Sequence, residues 1–494
     1  MTGSGPDGRA TVAVVGGGVA GLAAAWEVAL RGPATGVSAR VVVLEAQGRL
    51  GGKIVAADLG GRHVDGGADA FVARVPAGIE LCRELGLDGE LESPAANRAF
   101  VWTRGRLRPL PAGLVTGVPS DLLGLARSGT VSVRGLARAA LDLVLPPTAP
   151  PPGGDWAVGQ LVAARFGREV QERVVDPLLG GIHAGRSERL SLAATAPQLA
   201  AAAGRHRSLL RGLRATGVPP PAGGPVFVSV AGALDRLVTR LAERLQAQGV
   251  EVRTTCPVEE LRRGEAARDG GPAWFLRTPG GHLTADAVVL AVPAPAAAGL
   301  LRPLAPAASA TLSGIEHASV ALVLLAYPAV AMGRPLDGSG FLVPRVDGRL
   351  MTACSWYTSK WPARARGGEV VLRASVGRWG EDALGLTDGE LVRRVCEELA
   401  DAMGVTGPPS AARVVRWKDA FPQYTVGHLD RVERVEAEVS RLPGLALAGA
   451  ALRGIGVPAC IDQGRQAAKR VLESVRQRRC AEEPGGHEPG RGAL

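Results

Sequence analysis

The sequence lacks most of the features that mark secreted, metal-binding or membrane-spanning proteins. Its six cysteines are Cys82, Cys256, Cys354, Cys396, Cys460 and Cys480. None forms a C-x-x-C pair, so we expect neither a zinc site nor a disulfide framework. No apolar run reaches the roughly 20 residues of a membrane-spanning helix, and residues 1–10 lack the apolar core of a signal peptide. These absences favour a reducing, cytoplasmic compartment and no stable membrane span.

Aromatic residues and blocks of one charge sign are also scarce. Lys and Arg outnumber Asp and Glu by 57 to 47, which gives a net charge of +10, but aromatic residues make up only 4%. The basic residues are dispersed arginines, whereas a nucleic-acid surface usually shows a concentrated basic patch or a recognised motif. We therefore expect no nucleic-acid partner. An anionic small-molecule substrate, or solubility alone, would account for the positive charge.

The most informative stretch is Thr11–Glu45. It has the pattern of a buried strand, a G-x-G-x-x-G turn at Gly16, Gly18 and Gly21, an alanine-rich helix, and a second strand that ends at Glu45. The first glycine permits a tight turn, the second lets the backbone approach a pyrophosphate, and the third lets the helix lie close to the strand. The helix N-terminus attracts the pyrophosphate, and the glutamate can bind a ribose. The pattern predicts a Rossmann-like dinucleotide site.

Residues 77–205 look largely helical, because Leu, Ala and Arg recur at helical spacing. Two loops are expected to interrupt the helices, the proline-rich Pro146–Gly154 and the glycine-rich Asp176–Gly185, which would border a cavity. Asp155 is expected to cap the helix that restarts after the first loop. His183 is isolated from other catalytic residue types, so a packing role is favoured over a catalytic one.

Strands return after a second linker, Gly217–Pro225. The apolar runs Val226–Val230, Val250–Arg253 and Ala287–Val292 are expected to rejoin the first sheet, so that the nucleotide domain is built from separate parts of the chain. Residues 297–435 read mainly as β-strands, which would form one wall of a substrate cavity.

Together these elements predict an α/β protein with a Rossmann-like domain built from discontinuous segments, a mixed β-sheet substrate domain and a helical domain. A chain of 494 residues is long enough for about three such units. Near the end, the strand Leu445–Gly449 and the helix Cys460–Arg476 would direct a second helix N-terminus at the cofactor. The expected division is nucleotide-binding parts at 1–76, 217–296 and 441–478, a helical domain at 77–216, a β-rich substrate domain at 297–440 and a disordered tail at 479–494.

Three segments resemble those of a known family. Phe421–His428 is similar to a P-Q-Y-x-x-G-H segment, Arg453–Ile461 to a G-x-G-x-P-x-C-I loop, and Pro177–Gly185 to a cavity loop, all of the oxygen-dependent porphyrinogen oxidases in the flavin amine oxidase superfamily. The resemblance extends over nearly all of the chain. His183 and Ala459 depart from it, since the family commonly has an aromatic residue and an aspartate there.

The resemblance implies FAD-dependent, six-electron oxidation of a porphyrinogen by oxygen in haem biosynthesis, with hydrogen peroxide as a product. The flavin carries the chemistry, two electrons at a time, so no catalytic side chain and no metal are implied. Coproporphyrinogen III is the favoured substrate, because the Arg- and Ala-rich composition suggests a high-GC bacterium, and the family members of high-GC Gram-positive bacteria usually oxidise it. The alternatives are protoporphyrinogen IX, another oxidase or desaturase of the flavin amine oxidase type, or a flavin-binding scaffold without turnover.

The resemblance also implies how cofactor and substrate are held. Arg98 would pair with a substrate propionate, Gly181 would line the cavity, and Leu342 and Trp361 would enclose a pyrrole ring. The implied partners are the porphyrinogen and oxygen, with a monomer or homodimer and a transient contact with the next haem-pathway enzyme. The implied FAD-binding residues are Gly16, Gly17, Gly18, Val19, Ala20, Gly21, Glu45, Ala46, Arg49, Gly51, Gly52, Lys53, Gly66, Gly67, Ala68, Val258, Trp417, Gly449, Ile455, Gly456 and Val457.

Overall fold

The computed structural model describes residues 9–96, 98–148, 154–215, 225–264 and 273–482. The strands in these residues are β1 Ala10–Val15, β2 Ala39–Leu44, β3 Ala56–Asp58, β4 His63–Asp65, β5 Phe71–Val72, β6 Leu91–Glu92, β7 Phe100–Thr103, β8 Arg106–Pro109, β9 Leu114–Val115, β10 Val118–Pro119, β11 Phe227–Val230, β12 Glu251–Arg253, β13 Glu260–Arg263, β14 Trp274–Thr278, β15 Gly281–Ala285, β16 Ala287–Leu290, β17 His317–Pro328, β18 Gly340–Leu342, β19 Met351–Trp356, β20 Glu369–Val376, β21 Ala411–Pro422 and β22 Leu445–Leu447.

Helices of very different lengths connect these strands, from single turns to the long C-terminal helix. They are α1 Val19–Arg31, α2 Pro76–Glu84, α3 Leu122–Ser128, α4 Val133–Ala140, α5 Val158–Phe166, α6 Arg168–Val170, α7 Asp176–His183, α8 Leu192–Thr195, α9 Pro197–Arg205, α10 Leu209–Ala215, α11 Asp235–Ala247, α12 Ala294–Leu301, α13 Pro306–Ser313, α14 Tyr357–Lys360, α15 Asp388–Met403, α16 His428–Ser440 and α17 Val457–Glu482. A short π-helix, Gln171–Val175, joins α6 to α7.

A parallel sheet carries the first glycine-rich motif. Across the described residues its order is β12-β2-β1-β16-β22, with β1 at the centre. One face packs against α1, α11 and α17, and the other against β14, β15, α12, α13 and α16. Both faces are therefore buried, which explains the continuous apolar run Val12–Val15. The prediction of a Rossmann-like sheet built from discontinuous segments is confirmed.

One strand that was expected in this sheet lies elsewhere. The run Val226–Val230 forms β11, which pairs with β5 and β6 in a small antiparallel sheet and not with the parallel strands. The parallel sheet receives β12 and β16 instead, as expected. The sequence indicated that the run was apolar and extended, but burial alone does not specify which edge a strand joins.

A second, mixed sheet forms the β-rich part of the molecule. In the described residues its order is β21-β17-β20-β19-β18-β7-β8, and only the β18–β7 pair is parallel. One face packs on α15, and the other faces β3 and β4. The expectation that residues 297–435 are mainly β-strands is confirmed for β17 to β21, but it is wrong for α13, α15 and the start of α16. The expectation that 77–205 is largely helical is wrong at β7 and β8, because short strands that pair with distant residues carry little local signal.

The remaining described residues between 114 and 215 are mainly helical and share one apolar core. The prediction that Asp176–Gly185 is a loop is wrong, since α7 occupies Asp176–His183. Its Pro177 lies in the first turn, where a missing N–H costs nothing, and Ala184 ends the helix at φ 50°. Asp155 does not cap α5, which begins at Val158. Its carboxylate instead accepts backbone N–H groups from distant segments, at Ala193 and Gly427.

Three expectations fall wholly or partly outside the described residues. The linker Gly217–Pro225 and the loop Pro146–Gly154 extend into the segments 216–224 and 149–153, of which nothing is described. The predicted disordered tail, 479–494, is wrong for its first four residues, because α17 continues to Glu482, and the rest of it lies outside the description. The domain boundaries drawn from the sequence stay a prediction.

The contact between α1 and α17 gives a direct test of the packing. A Cβ added to Gly464 would lie 2.1 Å from the Ala20 carbonyl oxygen, so the two helices would have to separate. Gly464→Ala is expected to destabilise the protein by about 1–3 kcal/mol, measured as a lower midpoint of urea unfolding. Gly299→Ala in α12 is the control, because nothing lies within 4 Å of its added Cβ. Equal midpoints for both variants would contradict the close contact.

Candidate active site

The turn between β1 and α1 contains two kinds of glycine. A Cβ added to Gly16, which has φ +108°, would lie 2.6 Å from the Ala291 carbonyl oxygen, and one added to Gly21 would lie 1.9 Å from the Gly16 carbonyl oxygen. Both are therefore required by the packing of the chain on itself. The nearest atom to a Cβ on Gly18 is the Gly52 Cα at 4.0 Å. Gly18 thus leaves an open surface at the N-terminus of α1, where Val19 and Ala20 begin the helix.

Glu45 lies beside this turn, at the end of β2. Its carboxylate accepts N–H groups from Gly17 at 2.6 Å and from Gln47 at 2.7 Å. Each carboxylate oxygen keeps acceptor capacity for a further donor. The Glu45 carbonyl accepts the Cys256 N–H at 2.8 Å, so Val258 and the exposed Ala46 lie near the same end of the sheet. This is the carboxyl edge of parallel strands, where nucleotides bind in such folds.

A second glycine-rich loop lies directly against the first. Gly51 donates its N–H to the Gly17 carbonyl at 2.8 Å, and a Cβ on Gly52 would lie 3.2 Å from the Gly18 Cα. Arg49 donates to the Gly52 carbonyl at 2.9 Å. The two turns, 34 residues apart in sequence, therefore form one continuous backbone surface.

A third loop, Gly66–Ala68, packs on the second. Ala68 donates its N–H to the Lys53 carbonyl at 3.2 Å, and a Cβ on Gly67 would lie 2.0 Å from that same oxygen. Trp417 of β21, in the large sheet, contacts this loop. Its Nε1–H donates to the Gly66 carbonyl at 2.9 Å. Lys53, whose carbonyl contacts this loop, is an exposed residue, and the protein atoms around its amine lower its pKa.

The C-terminal loop is held by two rings of the P-Q-Y-x-x-G-H segment. The Tyr424 hydroxyl donates to the Ala450 carbonyl at 2.7 Å and accepts the Gly454 N–H at 2.8 Å. The His428 Nε2 lies 2.8 Å from the Leu452 carbonyl and must be the donor, because a carbonyl only accepts. The two rings stack with centroids 3.8 Å apart. The sequence contained this segment as a family motif, but its structural role could not be derived from it.

These rings fix the loop that precedes α17. Gly449 has φ +125°, and nothing lies within 4 Å of its added Cβ, so open space borders it. Ile455, Gly456 and Val457 follow, and the Gly456 carbonyl accepts the Cys460 N–H at the first turn of the helix. A second helix N-terminus therefore begins beside the cleft, as the sequence predicted.

Two observations of the structure indicate that FAD fits in the cleft. The surfaces of Gly18 and Gly449 are kept clear of protein atoms, and Lys53, between the second and third loops, is exposed. Gly18 and the start of α1 would hold the pyrophosphate, Glu45 the ribose, and Gly66–Ala68 with Trp417 would border the flavin end. These assignments of single residues stay predictions.

Two of the four predicted substrate residues lie together. Gly181 of α7 is exposed, and a Cβ added to it would lie 3.3 Å from the Leu342 Cδ2 of β18. The helical region and the large sheet therefore meet at this point, and the two residues can form part of a cavity wall. His183, two residues later, is buried 6.1 Å from the Tyr424 ring, in agreement with the packing role that was expected.

The other two predicted substrate residues lie elsewhere. Trp361 is only 1% exposed, and its Nε1–H donates to Asp69 at 3.3 Å, so in this structure it packs inside the protein and does not face a cavity. The Arg98 side chain is 63% exposed and forms an ion pair with Asp337 at 2.9 Å. Its guanidinium lies over Phe100, a residue packed on the α15 face of the sheet. The propionate role of Arg98 stays a prediction that this geometry does not support.

Comparison with known proteins identifies the class of enzyme. The family described as "Flavin containing amine oxidoreductase" matches residues 19–472, and the chain belongs to this family. The predictions of an FAD-dependent oxidoreductase and of its fold class are therefore confirmed. Among the described residues, no helix combines the length and the apolar character that crossing a membrane requires.

Within that family the chain is similar to enzymes named for porphyrinogens. It is 38% identical to a coproporphyrinogen III oxidase of Mycobacterium bovis, covering 94% of this chain and 97% of that protein, and 34% identical to one of Bacillus subtilis, covering 94% and 98%. A solved structure from Exiguobacterium sp. 255-15, provisionally named protoporphyrinogen oxidase, has a TM-score of 0.82 at 32% identity and covers 94% of this chain and 99% of that one. The resemblance drawn from the sequence motifs is confirmed.

The two kinds of glycine can be separated experimentally. Gly18→Ala is expected to leave the stability of the FAD-free protein unchanged, because the new methyl group meets only open space. It should weaken FAD binding roughly tenfold or more, since the methyl group occupies the path of the pyrophosphate. Gly21→Ala should instead destabilise the FAD-free protein. Flavin fluorescence titration and urea unfolding measure the two effects, and a stable Gly18→Ala protein with normal FAD affinity would contradict the assignment.

The buried histidines predict an acid-sensitive fold. Burial lowers the pKa of both His183 and His428 to about 4, so the folded state binds fewer protons than the unfolded chain between about pH 4 and 6.5. Stability is therefore fully present above pH 6.5 and is lost as the pH falls toward 4, by up to about 3 kcal/mol per histidine. His428→Gln should flatten this dependence in urea unfolding measured at several pH values. His282→Gln, at an exposed position, is the control, and identical slopes for the two variants would contradict the prediction.

Proposed function

We propose that this protein oxidises coproporphyrinogen III to coproporphyrin III with oxygen as the acceptor, releasing hydrogen peroxide in haem biosynthesis. The observation that carries the proposal is the 34–38% identity to enzymes named coproporphyrinogen III oxidase over 94% of the chain. The geometry of the cleft also supports the proposal, because three glycine-rich loops and the loop held by Tyr424 and His428 converge on one space beside the parallel sheet.

In this proposal the flavin supplies the redox chemistry, accepting electron pairs from the macrocycle. The protein binds the cofactor and the macrocycle and orients them relative to each other. Gly18 and the N-terminus of α1 hold the pyrophosphate, and Glu45 holds the ribose. Trp417 and the Gly66–Ala68 loop present a fixed surface to the flavin end, since hydrogen bonds tie both to the sheet. Gly181 and Leu342 form a wall of the substrate cavity, where the absence of a side chain on the glycine leaves room for a flat ring.

Protoporphyrinogen IX is the alternative substrate, because the chain is also 32% identical to a protoporphyrinogen oxidase of Bos taurus, covering 94% of this chain and 98% of that protein. The coproporphyrinogen carries four carboxylates and the protoporphyrinogen two, so the net charge of +10 suits the former. We further propose a cytoplasmic monomer or homodimer that transiently contacts the next enzyme of the haem pathway.

The substrate proposal predicts a specific product pattern. Purified protein loaded with FAD and given coproporphyrinogen III in air should form coproporphyrin III, measured by porphyrin fluorescence. About three molecules of hydrogen peroxide should appear per porphyrin, one for each two-electron step. Protoporphyrinogen IX supplied in parallel should give a lower kcat/KM. A higher kcat/KM for protoporphyrinogen IX would overturn the choice of substrate, and porphyrin formation without peroxide would overturn the oxidase assignment.

A further inference from the structure

The Gly66–Ala68 loop is fixed by a group of charged side chains behind it. Arg373 of β20 is only 6% exposed, and its Nη2 donates to the Gly67 carbonyl at 2.5 Å. The Nη1 of the same guanidinium lies 3.1 Å from the carboxylate of Asp69, which follows the loop directly. One arginine therefore binds both the loop backbone and the acidic residue at its end.

The Asp69 carboxylate has two further donors. The Lys360 Nζ lies 2.7 Å away, and the Trp361 Nε1 lies 3.3 Å away. Burial alone would raise the pKa of Asp69, but Lys360 and Arg373 hold it well below its usual range, so the carboxylate keeps its charge. These charges adjoin a second buried ion pair, Asp65 and Arg364, so three cations and two anions are enclosed next to the loop that borders the flavin end of the cleft.

We propose that Asp69 and Arg373 are positioning residues for the flavin: Arg373 fixes the Gly67 carbonyl, and the balance of charge between the two side chains sets the redox potential of the cofactor. The flavin gains two electrons on reduction, so its reduced form is favoured by nearby positive charge and disfavoured by nearby negative charge. A charge enclosed in a protein acts more strongly than one in water, and charge near the flavin ring is a recognised means of tuning it.

The proposal predicts opposite effects for the two members of the pair. Asp69→Asn leaves Arg373 and Lys360 without their shared counter-charge, so the midpoint potential of bound FAD should rise. Arg373→Gln removes a positive charge, so the potential should fall. Each change should alter the ratio of reduced to oxidised flavin by about tenfold at a fixed potential, and the double variant should lie near the wild type. Loss of packing alone would not give shifts of opposite sign.

The experiment is a spectroscopic titration of FAD-loaded wild type and variants against a reference dye. Asp142 and Arg165 provide the matched control, since they form a buried ion pair of the same kind, 2.5 Å apart, in the helical region. Asp142→Asn should lower the unfolding temperature and leave the midpoint potential unchanged. Shifts of the same sign in Asp69→Asn and Arg373→Gln, or no shift in either, would overturn the proposal.

A further variant of Arg373 tests whether misfolding, and not the lost charge, causes the shift in midpoint potential. Arg373→Lys keeps the positive charge but cannot bind both Gly67 and Asp69 with one planar group, so it should retain the wild-type potential while releasing FAD faster. A lowered potential in Arg373→Lys would contradict the charge-balance explanation. The proposal rests on the flavin lying in this cleft and not on which porphyrinogen is oxidised. Because the titration contains no substrate, its outcome is independent of the substrate assay.

Discussion

The close approach of backbone to backbone around α1 is the constraint on which the rest of the structure depends. Gly21 lies against the Gly16 carbonyl, and Gly464 of α17 lies against the Ala20 carbonyl. The first contact holds α1 against the turn that follows β1, and the second holds the last helix of the chain against α1. Because these glycine contacts leave no room for a Cβ, they fix the position of the N-terminus of α1. The loops of the cleft pack around this point.

The cleft itself is made mainly of backbone. Three glycine-rich loops from the first 70 residues form one surface, and longer side chains from distant strands and helices hold it in place through Trp417, Arg373, Tyr424 and His428. This arrangement suits a reaction whose chemistry belongs to a flavin, since the protein is required to bind and orient and not to supply a nucleophile or a metal.

Trp361 illustrates how a residue implied by resemblance can have another role. It is enclosed by Lys360, Arg364 and Asp69, with the Arg364 guanidinium 4.6 Å from the ring centroid. The same group of charges supports the loop at Gly67, so the residue belongs to the support of the site and not to the cavity wall. Arg98 likewise pairs with Asp337 on the other side of the sheet. Gly181 and Leu342, which meet between α7 and β18, remain the predicted residues of the cavity wall.

The sequence alone determined the β-α-β unit and the close-packed glycines Gly16 and Gly21, because these depend on local spacing within about 35 residues, and it indicated the flavoenzyme family through several short motifs spread along the chain. It also indicated most strands of the large sheet through their apolar runs. It could not determine that β7 and β8 join that sheet, or that β11 pairs outside the parallel sheet. It also could not determine that Asp69, Lys360 and Arg373 meet behind one loop. Those outcomes were decided by the tertiary structure, since strand pairing and ion pairing between residues about 300 positions apart leave no local pattern in the chain.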